Sequence, residues 1–116
     1  MKPAATICGL YTRVSSRNQA DADYSSLETQ RERLEAYCQS QENYFVYRVY
    51  EDGGYSADSL DRPALKEMLR DVREGRLNCV LTYKIDRLTR SVRDFHQLMD
   101  LFDRCGVQIR FGHPEP

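Results

Sequence analysis

Apolar residues fall along this chain in short blocks that switch between two periods. Thr6-Ile-Cys-Gly-Leu-Tyr11 is an unbroken apolar run of strand length. Asn18 to Ser25 is polar and reads as a loop. A helix then opens at Ser26-Leu-Glu-Thr-Gln30 and runs to about Gln41, with Leu27, Leu34, Tyr37 and Cys38 at near-helical spacing. Tyr44-Phe-Val-Tyr-Arg-Val-Tyr50 is aromatic and β-branched, which predicts a second strand. Glu51-Asp-Gly-Gly-Tyr-Ser56 breaks it and begins a loop that runs to Arg62. Pro63 suits a first helical position, and Ala64, Leu65, Met68, Leu69 and Val72 make the stripe of a second helix that Gly75 caps. Cys79-Val-Leu-Thr-Tyr83 is a third strand. Val92, Phe95, Leu98, Met99 and Phe102 mark another amphipathic helix, Gly106 ends it, and Val107 to Phe111 is a last strand.

This alternation predicts an α/β fold: an open, mainly parallel sheet of about four strands with helices on both faces. In such folds ligands sit beyond the carboxyl ends of the strands. The segments to inspect are therefore 12–25, 52–62, 84–91 and 112–116. The 116 residues (13.6 kDa) make one domain, 1–116, with no internal boundary or repeat. Hydrophobic residues at 41% and charged residues at 30% are ordinary globular values. No run reaches the roughly 18 apolar residues of a membrane span, and no signal-peptide core follows Met1. Cys8, Cys38, Cys79 and Cys105 form no CxxC pair, which argues against a zinc ribbon and for reduced thiols in the cytoplasm.

Charge is uneven although the net value is −1. Residues 20–60 carry three basic and nine acidic side chains; residues 61–93 carry nine basic and five acidic ones. Fourteen of the 17 cations are Arg, the side chain whose planar fork suits phosphate or carboxylate.

Three loops hold the candidate chemistry. In Tyr11-Thr-Arg-Val-Ser15-Ser16, a continued strand would project Arg13 and Ser15 to one side, a hydroxyl beside a guanidinium. The same pair of serines also suits a helix cap or plain loop. The second loop offers Asp52, Ser56, Asp58, Asp61 and Arg62, without the GKS or GKT of a nucleotide-binding loop. The third, Lys84-Ile-Asp86-Arg87-Leu-Thr-Arg90-Ser-Val-Arg93, sets a carboxylate and three arginines after a buried strand. A helical turn there would make Asp86 and Arg90 neighbours, as would the three-residue spacing of Arg87 and Arg90. That pattern fits an anionic transition state with proton transfer, or merely an exposed ion pair. His96 and His113 have no partner at metal-ligand spacing, and no dinucleotide fingerprint is present.

Taken in order, Tyr11-x-Arg13-Val-Ser15, Ser26-Leu-x-x-Gln30, Asp52-x-Gly-x-Ser56 with Arg62-Pro-x-Leu, and Asp86-Arg87-Leu-x-Arg90 resemble the catalytic domain of the serine recombinases, the resolvases and invertases. The long second loop and Arg62-Pro-Ala-Leu are most like the large serine recombinases and transposon-borne members. The resemblance spans about Ile7 to Val107. Two positions depart from it, Ala57 for Gly and Thr89 for Ser or Gly, and Arg17–Tyr24 is longer than in small resolvases.

The resemblance implies a site-specific recombinase acting on double-stranded DNA. Ser15 would attack a phosphodiester, forming a 5′-phosphoserine linkage and a free 3′ hydroxyl, before strand exchange and rejoining. Arg13, Arg62, Arg87 and Arg90 would surround the phosphate, Asp86 would protonate the leaving 3′ oxygen, and Gln30, Asp52 and Ser56 would support them. It implies no metal, cofactor or nucleotide, no membrane, a homodimer or tetramer, and a bacterial, phage or mobile-element origin with action in the cytoplasm. It also implies a dimerisation helix and DNA-binding domains beyond His113-Pro-Glu-Pro116, so that this catalytic fragment alone would bind DNA weakly and recombine nothing. Two other classes remain open from the residues alone: a phosphatase or metal-dependent nuclease sensitive to chelation, and a non-catalytic module on the same fold.

Overall fold

The computed structural model describes residues 5–14 and 26–112. Four strands, β1 (Thr6–Val14), β2 (Tyr44–Gly53), β3 (Cys79–Thr82) and β4 (Gln108–Phe111), alternate with helices α1 (Leu27–Ser40), α2 (Pro63–Arg73), α3 (Ile85–Leu88) and α4 (Val92–Arg104). The sheet has the order β2-β1-β3-β4 and every pairing is parallel. The chain therefore winds outward in one direction from β1 to β2 and in the other through β3 to β4. The reversal falls between β1 and β3, and their carboxyl ends border the crevice where such sheets bind ligands.

Each element follows from local chemistry. Ser26 caps α1 by accepting from the Thr29 amide at 3.0 Å, and Ser91 caps α4 from the Asp94 amide at 3.2 Å. Gly75 and Gly106 follow α2 and α4 with φ of 73° and 69°, a backbone region that costs a glycine little. Side chains of β1 alternate between the faces. Cys8 and Leu10 pack with Leu34 and Cys38 of α1 and with Cys79 and Leu81 of β3. Tyr11 joins the larger core of the other face, built with Leu65, Met68, Val72, Leu98 and Phe102 of α2 and α4. Helices thus cover both faces.

The β1–β2 register slips between Cys8 and Gly9, leaving Tyr47 as the extra residue of β2. Gly9 fits there closely: a Cβ would lie 3.0 Å from Tyr50 Cε2 and 3.2 Å from Leu77 Cδ2, so both side chains would have to give way.

Two boundaries differ from those the periodicity predicts. β1 continues through Thr12, Arg13 and Val14, and β2 continues through Glu51, Asp52 and Gly53, because these polar residues pair in register, Arg13 opposite Asp52. Neither segment is apolar, so periodicity reads both as loops; the ladder extends without apolar side chains, since backbone groups make it.

Candidate active site at the carboxyl edge of the sheet

Arg13 ends up in the core. It is 2% exposed, and its guanidinium donates to three backbone carbonyls: Nε to Arg87 at 3.0 Å, Nη1 to Tyr55 at 2.8 Å and Nη2 to Asp86 at 2.8 Å. Its own backbone is clamped from α1. The Gln30 carboxamide accepts from the Arg13 amide at 3.2 Å and donates to the Arg13 carbonyl at 3.0 Å. Pairing of β1 with β3 stops at Tyr11 opposite Thr82, so Gln30 makes the two bonds that a longer β3 would make.

Arg62, 1% exposed, approaches the same point from the start of α2. Its Nε donates to the Ser59 carbonyl at 2.9 Å, Nη1 to the Tyr11 hydroxyl at 2.9 Å and to the Arg87 carbonyl at 3.3 Å, and Nη2 to the Leu88 carbonyl. Its guanidinium also lies over the Tyr11 ring, 5.6 Å from the centroid. The carbonyls at the end of α3, which have no partner within a one-turn helix, are thereby satisfied by two buried cations.

Asp52 connects this cluster to α2. It accepts from the Tyr11 hydroxyl at 2.7 Å and from the amides of Ala64 and Leu65 at 2.9 and 3.0 Å. Arg62, at the N-cap position, makes no side-chain cap, and a carboxylate from the end of β2 does that work instead. Burial and the bonded carboxylate push the Tyr11 hydroxyl well above the usual phenol range, outweighing Arg62, so it stays a neutral bridge.

The electrostatics are one-sided. Among the described residues neither Arg13 nor Arg62 forms an ion pair with a carboxylate. Burial first, then the positive charges of Arg62, Arg87 and Arg90, lower the Arg13 guanidinium to about 10, while Tyr11 opposes the shift. Arg87 is buried at 3% and Arg90 is exposed. Arg13 and Arg62, held by neutral carbonyls, keep an uncompensated positive charge that suits an incoming anion.

α3 ends at Leu88, and Thr89 is fully extended, with φ −161° and ψ 153°. Asp86 and Arg90 are therefore not on one helical face, contrary to what their spacing predicts; the Arg90 amide instead bonds the Ala57 carbonyl at 3.1 Å, drawing the chain toward the second loop. Asp86 and Arg90 still line one hollow of about 330 Å³ with Ile85, Thr89, Ser91, Val92 and Phe95. Among the described residues Asp86 Oδ1 is shielded from water and accepts no hydrogen bond. A larger hollow of about 560 Å³ between α2 and α4 contains none of the candidate residues.

The fold thus gathers Arg13, Gln30, Asp52, Arg62, Asp86, Arg87 and Arg90 at the carboxyl ends of β1 and β3. Ser56 stands apart: it is exposed and its hydroxyl accepts from the Asp58 amide at 3.0 Å, a local turn contact that touches no arginine. Ser15, next in sequence after the last residue of β1, lies outside the described residues, as does His113. Tyr11 is a site residue that the sequence does not mark as one, because a tyrosine in an apolar run looks like any core aromatic. Among the described residues no group of three or more His, Cys, Asp or Glu is placed to hold a metal ion, and no helix is long and apolar enough to cross a membrane.

Residues 8–115 match the family model of the resolvase N-terminal domain. The chain belongs to that family. Among solved structures, the N-terminal catalytic domain of TP901-1 integrase superposes with a TM-score of 0.81 at 34% identity, over 91% of this chain and 77% of that one. A resolvase/recombinase of Pseudomonas putida is 37% identical over 101 residues, 87% of this chain and 48% of its own length. The Tn917 transposon resolvase of Enterococcus faecalis is 30% identical over 86 residues, 74% of this chain and 45% of that protein. This serine recombinase catalytic domain thus spans about half the length of those two curated relatives. Its open four-stranded parallel sheet is the resolvase catalytic fold.

Proposed function

We propose that this domain cleaves and rejoins DNA during site-specific recombination, with Ser15 as nucleophile. The observation that carries the reading is the cluster of Arg13, Arg62, Arg87 and Arg90 at the ends of β1 and β3, with neither Arg13 nor Arg62 paired to a carboxylate. A phosphodiester entering the crevice supplies the negative charge that Arg13 and Arg62 lack. Exposed Arg90 is the guanidinium that meets it first. Arg13 and Arg62 act by their charge and by holding α3, and with Arg87 they stabilise the extra negative charge of the pentacoordinate transition state.

In the proposed step the Ser15 oxygen attacks phosphorus, the bond to the 3′ oxygen breaks, and a 5′-phosphoserine ester forms. The hydroxyl proton leaves to solvent or a base, and the 3′ oxygen receives a proton from Asp86, whose unpartnered Oδ1 is the site for it. Attack of a 3′ hydroxyl on the ester reverses the step, so no energy source is needed. Gln30 and Asp52 support the site through Arg13 and Tyr11. Double-stranded DNA as substrate, a homodimeric or tetrameric assembly and further DNA-binding domains in the whole protein belong to the same proposal.

The test is covalent capture. The whole protein, with its DNA-binding domains, is incubated with bacterial genomic DNA, the DNA is digested, and tryptic peptides are searched for a nucleotide adduct. The expected adduct maps to Ser15, survives chelator, and vanishes in Ser15→Ala while DNA binding persists. An adduct on another residue, or cleavage without any adduct, overturns the assignment.

A further inference from the structure

Three of the four cysteines, far apart in sequence, meet on the α1 face of the sheet. Cys8 on β1 and Cys79 on β3 are register partners, Cys38 of α1 packs with them, and all three are buried and free. Register partners on neighbouring strands lie about 4.8 Å apart, within the roughly 4.4–6.8 Å between Cα atoms that a disulfide spans. Interaction with the neighbouring Cys8 thiol holds Cys79 below the usual thiol range, against its burial, whereas Cys8 is pushed up to about 12 and Cys38 higher still. None of these thiols takes part in the arginine cluster, which lies at the carboxyl edge and gathers on the opposite face of β1.

We propose that Cys8 and Cys79 are a peroxide-sensitive pair that closes into a disulfide tying β1 to β3. The Cys79 sulfur attacks one peroxide oxygen, the O–O bond breaks, and a sulfenic acid and one water result. The Cys8 sulfur then attacks the Cys79 sulfur, the S–O bond breaks, and the hydroxyl leaves as a second water with the Cys8 proton. Two thiols lose two electrons and two protons in all, and the peroxide is reduced to two waters. The link crosses the two strands whose carboxyl ends carry Arg13 and α3, so oxidation stiffens the floor of the crevice.

The experiment uses Cys105→Ser, which removes the one exposed thiol among the described cysteines and with it linkage between chains. The folded protein is treated with hydrogen peroxide, quenched, unfolded in alkylating agent, and weighed without reductant. The expected product has lost two hydrogens, takes one alkyl group at Cys38, yields a peptide joining Cys8 to Cys79, melts higher than the reduced protein, and reverts with dithiothreitol. Three alkylated cysteines after peroxide that fully oxidises Cys105 in the unsubstituted protein would refute the proposal. So would a link that forms only in urea, or one that joins Cys38 instead of Cys79.

Discussion

Replacing Asp52 probes the joint between fold and site most directly. One carboxylate oxygen accepts from the Ala64 amide, and the other from the Leu65 amide and the Tyr11 hydroxyl. Asp52→Asn keeps the shape but gives up one acceptor, and its NH2 must face either the Ala64 or the Leu65 N–H. A lost cap is worth about 0.5–2 kcal/mol, and a hydrogen bond to a charged group about 1.5–3 kcal/mol. We expect about 2–3 kcal/mol of destabilisation for Asn and about 3–5 kcal/mol for Ala, which also leaves the Tyr11 hydroxyl with only Arg62. Domains of this size are stable by about 6–17 kcal/mol, so both variants should fold. Urea denaturation followed by circular dichroism measures the loss, and hydrogen exchange locates it. The Ala64 and Leu65 amides should exchange faster in native conditions than the loss of global stability alone explains. If both variants unfold within about 0.5 kcal/mol of the parent, or exchange rises uniformly, Asp52 does not cap α2 and the reasoning fails.

Tyr11→Phe removes the bridge between Asp52 and Arg62 but keeps the ring under the guanidinium, so a loss of about 1–2 kcal/mol in the same urea assay is expected. Gly9→Ala should lose about 1–3 kcal/mol, since its Cβ would meet Tyr50 and Leu77; a neutral result would mean the bulged β2 gives way freely. Arg90→Ala should unfold within about 0.5 kcal/mol of the parent, because the side chain is exposed. The same variant should lower the yield of the Ser15–DNA adduct by about 10²–10³-fold, and an unchanged yield would remove Arg90 from the phosphate site. Sulfate should raise the melting temperature more than chloride at equal ionic strength, by filling the cluster; equal effects would mean the carbonyls already satisfy it.

Periodicity was enough to place nearly every element, because amphipathic patterns and caps are written in neighbouring residues. The apolar runs of β1 and β3, the stripes of α2 and α4, and the glycines that close those helices are all local signals. The motif order around Arg13, Arg62 and Asp86-Arg87-Leu-x-Arg90 likewise marked which loops matter. The tertiary structure alone decided how those residues are used. Arg13 and Arg62 are buried because backbone carbonyls of Ser59, Tyr55, Asp86, Arg87 and Leu88 receive them, and a carbonyl has no side-chain signature to read. Asp52 caps a helix that begins 11 residues later, reached only because β2 runs beside β1. Spacing alone placed Asp86 and Arg90 on one helical face, whereas α3 stops after one turn once the two guanidiniums bind its final carbonyls. Composition showed four scattered cysteines, and only strand register brought Cys8 against Cys79. Local sequence sets the period and ends of each element, while contacts between elements depend on register and winding, which no single segment encodes.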